Sequence, residues 1–277
     1  VTSHLSERII EMDESCAPEL RERPALEFYR QGLQALDRAG VQYLVGGGYA
    51  MRHYAGVHRP TKDLDLFVLP GESRLALDTL GAAGYRIEWP WPHFLGRAVS
   101  DGDAFIDVLY NSANGLTEVD SEWFEHATEG ELFGRPVRFV PVEEMLWSKC
   151  FVQERERFDG ADVAHLLLRC GGSLDWPRLL KRCQGHDAML LGHLVFASYI
   201  YPTERCVPDG VVEELLRRVR AEEAPKERIC RGPNIAPHQY RADVEQWGFI
   251  DARRRPHGPL RLDEIARITP PDAQPIR

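Results

Sequence analysis

Apolar positions recur along this chain at two different periods, and the change from one to the other organises the molecule. The segment ALEFYRQGLQALDRAG places Leu26, Tyr29, Leu33 and Leu36 at helical spacing and stops at Gly40. VQYLV is a short β-rich run, followed by Gly46-Gly47-Gly48 and by YAMRHYAG, which keeps helical character to Gly56. DLDLFVL alternates from Asp63 as far as Pro70, and ESRLALDTLGAAGY returns to a helix with a glycine-rich end. HFLGRAVS and DAFIDVLYN flank Asp101-Gly102, a pairing favoured in tight hairpins, so two antiparallel strands are expected there. WPWPH, ahead of them, reads as an aromatic loop stiffened by proline, and ELFGRPVRFV continues the β character.

From Pro141 the pattern is helical throughout: VEEMLWSKCFVQERERF, GADVAHLLLRCGG, DWPRLLKRCQ, AMLLGHLVFASYIY and GVVEELLRRVRAEEA. The expectation is an α+β protein in which a mixed-sheet domain, residues 25–141, precedes a helical domain, residues 142–224. Residues 1–24 form an extension. Residues 225–277 form a tail rich in Pro, Arg and Gly, with one short helical candidate near DVEQWGF and a basic run at Arg253-Arg254-Arg255 expected to be solvated.

Composition narrows the classes. With 277 residues and 43% hydrophobic content the chain can bury a sizeable core, and its formal net charge of -9 lacks the basic excess on which non-specific duplex binding relies. Duplex DNA is therefore not an expected partner. The six cysteines include no CxxC pair and the ten histidines no HExxH spacing, so neither a zinc site nor a disulfide framework is indicated. No apolar run reaches membrane-spanning length, and VTSHLSERIIEMDESCAPEL carries charges where a signal peptide needs an apolar segment; a cytoplasmic protein is expected.

The chemistry concentrates in VGGGYAMRHYAGVHRPTKDLDLFV. Residues two apart on a strand share a face, so Asp63 and Asp65 aim two carboxylates in one direction, a pair that repels itself unless a cation intervenes. Magnesium prefers oxygen ligands and keeps substrate phosphates in its shell. The plainer reading is a solvated strand start. Gly46, Gly47 and Gly48 before a helix suit phosphate by exposing backbone N–H groups at the positive end of a helix dipole, although a glycine run is also often only a tight turn. Neither GxGxxG nor GxxxxGK[ST] is present. Asp107 interrupts an apolar strand, where an unpaired carboxylate is costly, and so calls for metal or Arg; Asp103 is the substitute candidate.

Gly46-Gly47, Arg59-Pro-Thr61-Lys-Asp63-Leu-Asp65 and Asp107 together resemble the signature of the DNA-polymerase-β-like nucleotidyltransferase superfamily, in its Arg-x-Thr-x-Asp-x-Asp form similar to CCA-adding and poly(A)-type heads. VPVEEMLWSKCFVQERERFDGADVAHLL resembles the Lys…Arg…Asp…Asp helical segment of stand-alone bacterial members, AbiEii-type toxins among them, with Lys149, Asp159 and Asp162 at matching positions. The resemblance spans roughly residues 25 to 170 and implies a nucleotidyltransferase head on the sheet domain.

It implies that Asp63, Asp65 and Asp107 bind Mg2+, with Mn2+ as a substitute, that Gly46, Gly47, Gly48, Arg59, Thr61, Lys62 and Asp162 line the NTP site, and that Lys149 offsets charge on the phosphates. An NMP would pass to a small molecule, a protein or an RNA end, with release of pyrophosphate. Lys149 read by itself is equally an exposed helix lysine whose loss leaves stability nearly unchanged, and Asp159 a capping or surface acid. A nucleotide-binding protein that keeps the fold without activity is the competing function.

Overall fold

The structure, a computed structural model, describes residues 19–100 and 102–269, with side chains from residue 25 onward. Its sheet has seven strands: β1 (Leu44–Val45), β2 (Asp63–Phe67), β3 (Arg86–Trp91), β4 (Leu95–Val99), β5 (Phe105–Leu109), β6 (Thr128–Leu132) and β7 (Arg135–Phe139). Their order across the sheet is β3-β4-β5-β2-β1-β7-β6. The pairs β2/β5 and β1/β7 are parallel and the other neighbours antiparallel, so the sheet is mixed, as expected of an α+β protein. Helices α1 (Glu19–Arg38), α2 (Gly47–Ala55), α3 (Ser73–Ala82) and α4 (Ser121–Glu125) accompany it.

Strand parity sorts the two faces. In β2, Leu64 and Leu66 are fully buried with Val68 beyond them, whereas Asp63, Asp65 and Phe67 on the other face are only partly buried. Each buried aliphatic contributes roughly 1.5–3 kcal/mol relative to exposure, so a one-residue slip, which would bury the acids instead, is strongly disfavoured. Ile106 and Val108 of β5 continue the apolar face, which α1 and α3 cover: Gly32 of α1 sits against Ile106, and Gly96 of β4 against Leu77 of α3. The opposite face is left for the acids and for the start of α2.

From Val142 onward come α5 (Val142–Cys150), α6 (Gly160–Cys170), α7 (Trp176–Arg182), α8 (Asp187–Ile200) and α9 (Asp209–Ala221). A buried hydrophobic cluster runs from Tyr29 through Leu64, Phe139 and Leu146 to Leu215, joining sheet and helices. Buried ion pairs reinforce the junction. Arg178 of α7 donates to Glu144 at 2.6 Å and also bonds Glu143, while Arg182 reaches Glu144 at 3.0 Å and, ahead of α4, Asp120.

Three expectations differ from what is observed. WPWPH does not begin as a loop: Trp89, Pro90 and Trp91 end β3, an edge strand, where a proline without an N–H is tolerated, and the register shifts between Glu88 and Trp91. Trp91 stacks on Phe94 with ring centroids 5.6 Å apart. The helix expected to run through VQERERF ends at Cys150, because Phe151–Phe158 fold into a turn closed by a Gln153–Phe158 bridge and by the Asp159 N–H donating to Val152 O at 3.0 Å. The charged run Glu154–Arg157 has no apolar periodicity to hold it on a helix.

In the tail, β8 (Ile229–Cys230) pairs in parallel with β9 (Ile250–Asp251), and α10 (Arg241–Glu245) and α11 (Leu262–Ile268) follow in their turn along the chain. Arg253, expected in solvent, is 3% exposed and donates to Asp251 at 2.7 Å. Burial of that arginine is affordable only because its charge is answered. Asp101 of the β4–β5 hairpin lies outside the described residues.

Candidate active site

Sheet register places the three acids. Asp65 of β2 stands beside Asp107 of the parallel strand β5, and Asp63 lies one pleat along the same face. One ligand oxygen from each of Asp63, Asp65 and Asp107 falls within a 4.8 Å set. Asp107 is 5% exposed. Burial pushes Asp65 up to about 7, with the Asp63 and Asp107 charges adding to the rise. Asp107 is likewise raised by burial, against the pull of Arg97. Three carboxylates this close, Asp107 buried and the other two partly so, are poorly placed beside water alone and well placed around a hard divalent cation, which takes oxygen ligands. The residues present fit such an ion. Asp103, the substitute candidate, is exposed in the hairpin and lies outside the set.

The metal-free protein carries a cost that depends on pH. Asp65 titrates near 4 when unfolded and near 7 when folded, so the folded state holds an extra proton between those values. Stability is therefore full below pH 4 as far as this group is concerned, and is lost as the pH rises towards 7, by on the order of 4 kcal/mol. Millimolar Mg2+ should raise Tm more at pH 8 than at pH 5. Equal shifts at both pH values, read by differential scanning fluorimetry, would disconnect the ion from Asp65.

Two neighbouring groups fix the acids. Thr61 donates from Oγ1 to the Asp63 carboxylate and to the Asp63 carbonyl at 3.3 Å. Gly46, the N-cap of α2, donates its N–H to Asp65 O at 2.9 Å, and Gly47 begins the helix at φ 55. A Cβ on Gly47 would lie 1.7 Å from Asp65 Oδ2, so only glycine lets α2 start against this carboxylate. Gly48 faces Thr61, with its Cβ position 3.4 Å from the Thr61 Cβ. The glycines thus have a packing reason of their own beside the phosphate role expected of them. Lys62 is exposed, and its carbonyl accepts from the Phe105 N–H at 3.2 Å.

A second cluster lies beside the acids. Lys149, at the end of α5, donates to Asp159 at 2.9 Å and to Asp162 at 2.6 Å, and Arg59 holds the other side of Asp162 through two bonds of 2.9 and 2.6 Å. Burial raises Asp162, but the Arg59 bond and the Lys149 charge outweigh it and hold the carboxyl below its ordinary value. Lys149 and Arg157 are close enough to Asp65 for their charges to oppose its rise. The expectation of an exposed Lys149 does not hold, since its side chain is 12% exposed. Nor is Asp159 a surface acid; its side chain is 11% exposed.

Removal of the Lys149 ammonium leaves two buried carboxylates short of a partner. Lys149→Ala should therefore lose about 2–3 kcal/mol of stability, measurable by urea unfolding. An unchanged midpoint would mean that Arg59 and Arg157 suffice for both acids.

Sequence reasoning missed two arginines. Arg97 of β4, directly opposite Asp107, donates from Nε at 2.6 Å and from Nη2 at 2.9 Å to the two Asp107 oxygens. Arg157 makes only a 3.4 Å contact with Asp159 and has a 70% exposed side chain. The neighbouring carboxylates of Asp159, Asp65 and Asp63 raise its pKa. The alternation in HFLGRAVS carried a signal for Arg97, a charge between Gly96 and Ala98; Arg157 was hidden in a run that read as the continuation of a helix. A separate cavity of about 590 Å3, lined by Phe151, Phe158, His186, Met189, Phe196 and Arg231 among others, includes none of the three acids.

No protein-family model matches the chain, and no curated protein matches it. Among solved structures it is similar to the antibiotic-resistance factor ANT(2'')-Ia, at 19% identity and a TM-score of 0.40 over 72% of this chain and 93% of that one. The same factor in complex with adenylyl-2''-tobramycin gives 18% identity and a TM-score of 0.43, over 62% of this chain and 98% of the other. The lincosamide antibiotic adenylyltransferase LnuA, lincomycin-bound, gives 20% and 0.38 over 51% of this chain and 94% of the other. At such distances function has to be read from the side chains. Among the described residues no helix is long and apolar enough to cross a membrane.

Proposed function

We propose that this protein is a metal-dependent nucleotidyltransferase that moves an NMP from an NTP, ATP among them, to an acceptor and releases pyrophosphate. The observation that carries the reading is the set of three carboxylates, Asp63, Asp65 and Asp107, gathered within 4.8 Å on one face of adjacent parallel strands. Asp63 and Asp65 would hold Mg2+ or Mn2+, and Asp107 would complete the site. A divalent ion there supplies charge neutralisation and orientation of the phosphates.

The remaining roles belong to the chain itself. Thr61 fixes the Asp63 carboxylate, and the first N–H groups of α2, at Gly47 and Gly48, are available to phosphate oxygens. Arg59 and Lys149, tied to Asp162, keep positive charge near the triphosphate, with Arg157 the least committed cation of the group. Attack on the α-phosphorus by an acceptor hydroxyl or phosphate would expel pyrophosphate, whose developing charge these cations stabilise. A small molecule or a protein is the acceptor we favour, ahead of an RNA end, because the formal net charge of -9 does not favour a polyanion. We place the protein in the cytoplasm, where nucleoside triphosphates are available.

One observation favours the non-catalytic reading, a nucleotide-binding protein that keeps the fold: Arg97 already occupies both oxygens of Asp107. The deciding experiment is pyrophosphate release from each of the four NTPs with Mg2+, with fractionated cell extract supplying acceptors. Release that EDTA abolishes supports transfer. Nucleotide binding by calorimetry without any release would leave the non-catalytic protein.

A further inference from the structure

We infer that Arg97 is a resident cation of the acid cluster, which holds Asp107 out of the metal site until a second divalent ion displaces it; this rests on the metal-binding reading of Asp63 and Asp65. The guanidinium meets the Asp107 carboxylate side on, one nitrogen to each oxygen, at 2.6 and 2.9 Å. This bidentate geometry uses the oxygens that a metal would need and matches carboxylate better than any lysine contact would. Among the described residues no arginine bonds Asp63 or Asp65 in that way, and Asp63 is bonded through the neutral Thr61 hydroxyl. The cluster is therefore divided into two open carboxylates and one already neutralised.

Arg97 is also held in place and has somewhere to go. Its guanidinium carbon lies 3.8 Å from the centroid of the Phe105 ring, on the strand that bears Asp107. On its other side, across the β3–β4 pair, Glu88 stands in register with Arg97, is 42% exposed in its side chain and is itself paired with Arg86. The row Asp65, Asp107, Arg97, Glu88 thus crosses four neighbouring strands with one cation between two acids. Release of Asp107 needs transfer of the guanidinium off Phe105 and towards Glu88, where it would share that carboxylate with Arg86. A first ion then binds at Asp63 and Asp65, and a second joins at Asp107 as Arg97 leaves.

The test is a titration of the full chain with Mn2+ alone, free ion being counted by electron paramagnetic resonance. The wild type should bind one ion tightly and a second at least tenfold more weakly. Arg97→Met, which keeps an aliphatic stem against Phe105, should tighten the second ion at least tenfold, and Asp107→Asn should keep first-ion affinity within fivefold of wild type while losing the second. Two ions of equal affinity on the wild type, a second ion no tighter in Arg97→Met, or a first-ion loss beyond fivefold in Asp107→Asn would each overturn the inference while leaving the metal site standing. Absence of Mn2+ binding to the wild type at millimolar concentration would remove the metal site itself, and the role of Arg97 with it. Near-ultraviolet circular dichroism checks that Arg97→Met is folded; should it fail to fold, the ratio of first- to second-ion affinity in the wild type and the Asp107→Asn affinity decide alone.

Discussion

Asp63→Asn and Asp65→Asn should each lower Mg2+-dependent NTP turnover by about 10³-fold, equivalent to about 4 kcal/mol of transition-state stabilisation. Asparagine preserves shape and loses the charge that a divalent ion requires. The two variants are expected to part company in stability. Asp65 is buried against two other acids and pushed up to about 7, so at pH 8 its ionised form works against the metal-free fold. Asp65→Asn removes that penalty and should raise Tm without Mg2+, while abolishing the further rise that Mg2+ gives the wild type. Loss of activity would then accompany a gain of stability, which no unfolding artefact reproduces. Turnover within tenfold of wild type in both variants would show that these carboxylates do not hold the reactive ion.

Gly47→Ala should lower turnover by about 10²-fold or more, because its methyl group would require the Asp65 carboxylate to move. The new Cβ would lie 1.7 Å from Asp65 Oδ2, and displacement of a catalytic group by about 1 Å is enough for a loss of this size. The φ of 55 adds about 1–2 kcal/mol of backbone strain. Gly56 provides the control: it has a φ of 68, but nothing lies within 4 Å of its Cβ position. Gly56→Ala should show a similar fall in Tm with turnover intact. If both alanine variants behave alike in activity, the approach of Gly47 to Asp65 has no catalytic consequence and the turn is only structural.

Much of the arrangement was legible because strand parity is written into the sequence. DLDLF puts Asp63 and Asp65 on one face and Leu64 and Leu66 on the other without reference to anything distant, and AFIDVL does the same for Asp107 between Ile106 and Val108. That these two segments lie side by side, Asp65 opposite Asp107, depends on a parallel pairing between strands about forty residues apart, which no local pattern encodes. Arg97 escaped for the same reason: its meaning comes from register with Asp107. The strand ending in Trp89-Pro90-Trp91 was obscured by proline, which is tolerated there only because β3 is an edge.

The turn after α5 shows a different limit. The helix expected from the sequence runs on through Gln153 to Phe158, yet the chain folds back so that Asp159 reaches Lys149. Paired charges also changed the reading of single residues. Lys149, Asp159 and Arg253 are all of types usually exposed, and each is buried because an opposite charge meets it.

Transfer of a nucleotidyl group at the Asp63–Asp65–Asp107 cluster is tested most directly by the position of an isotope. Wild-type protein is incubated with Mg2+, fractionated extract and ATP, or whichever NTP releases pyrophosphate, labelled either at the α- or at the γ-phosphorus. Attack at the α-phosphorus predicts label on the acceptor from the α-labelled nucleotide alone, label in pyrophosphate from the γ-labelled one, and neither with Asp65→Asn. Transfer of γ-label to the acceptor, or α-label transfer that survives in Asp65→Asn, would contradict it.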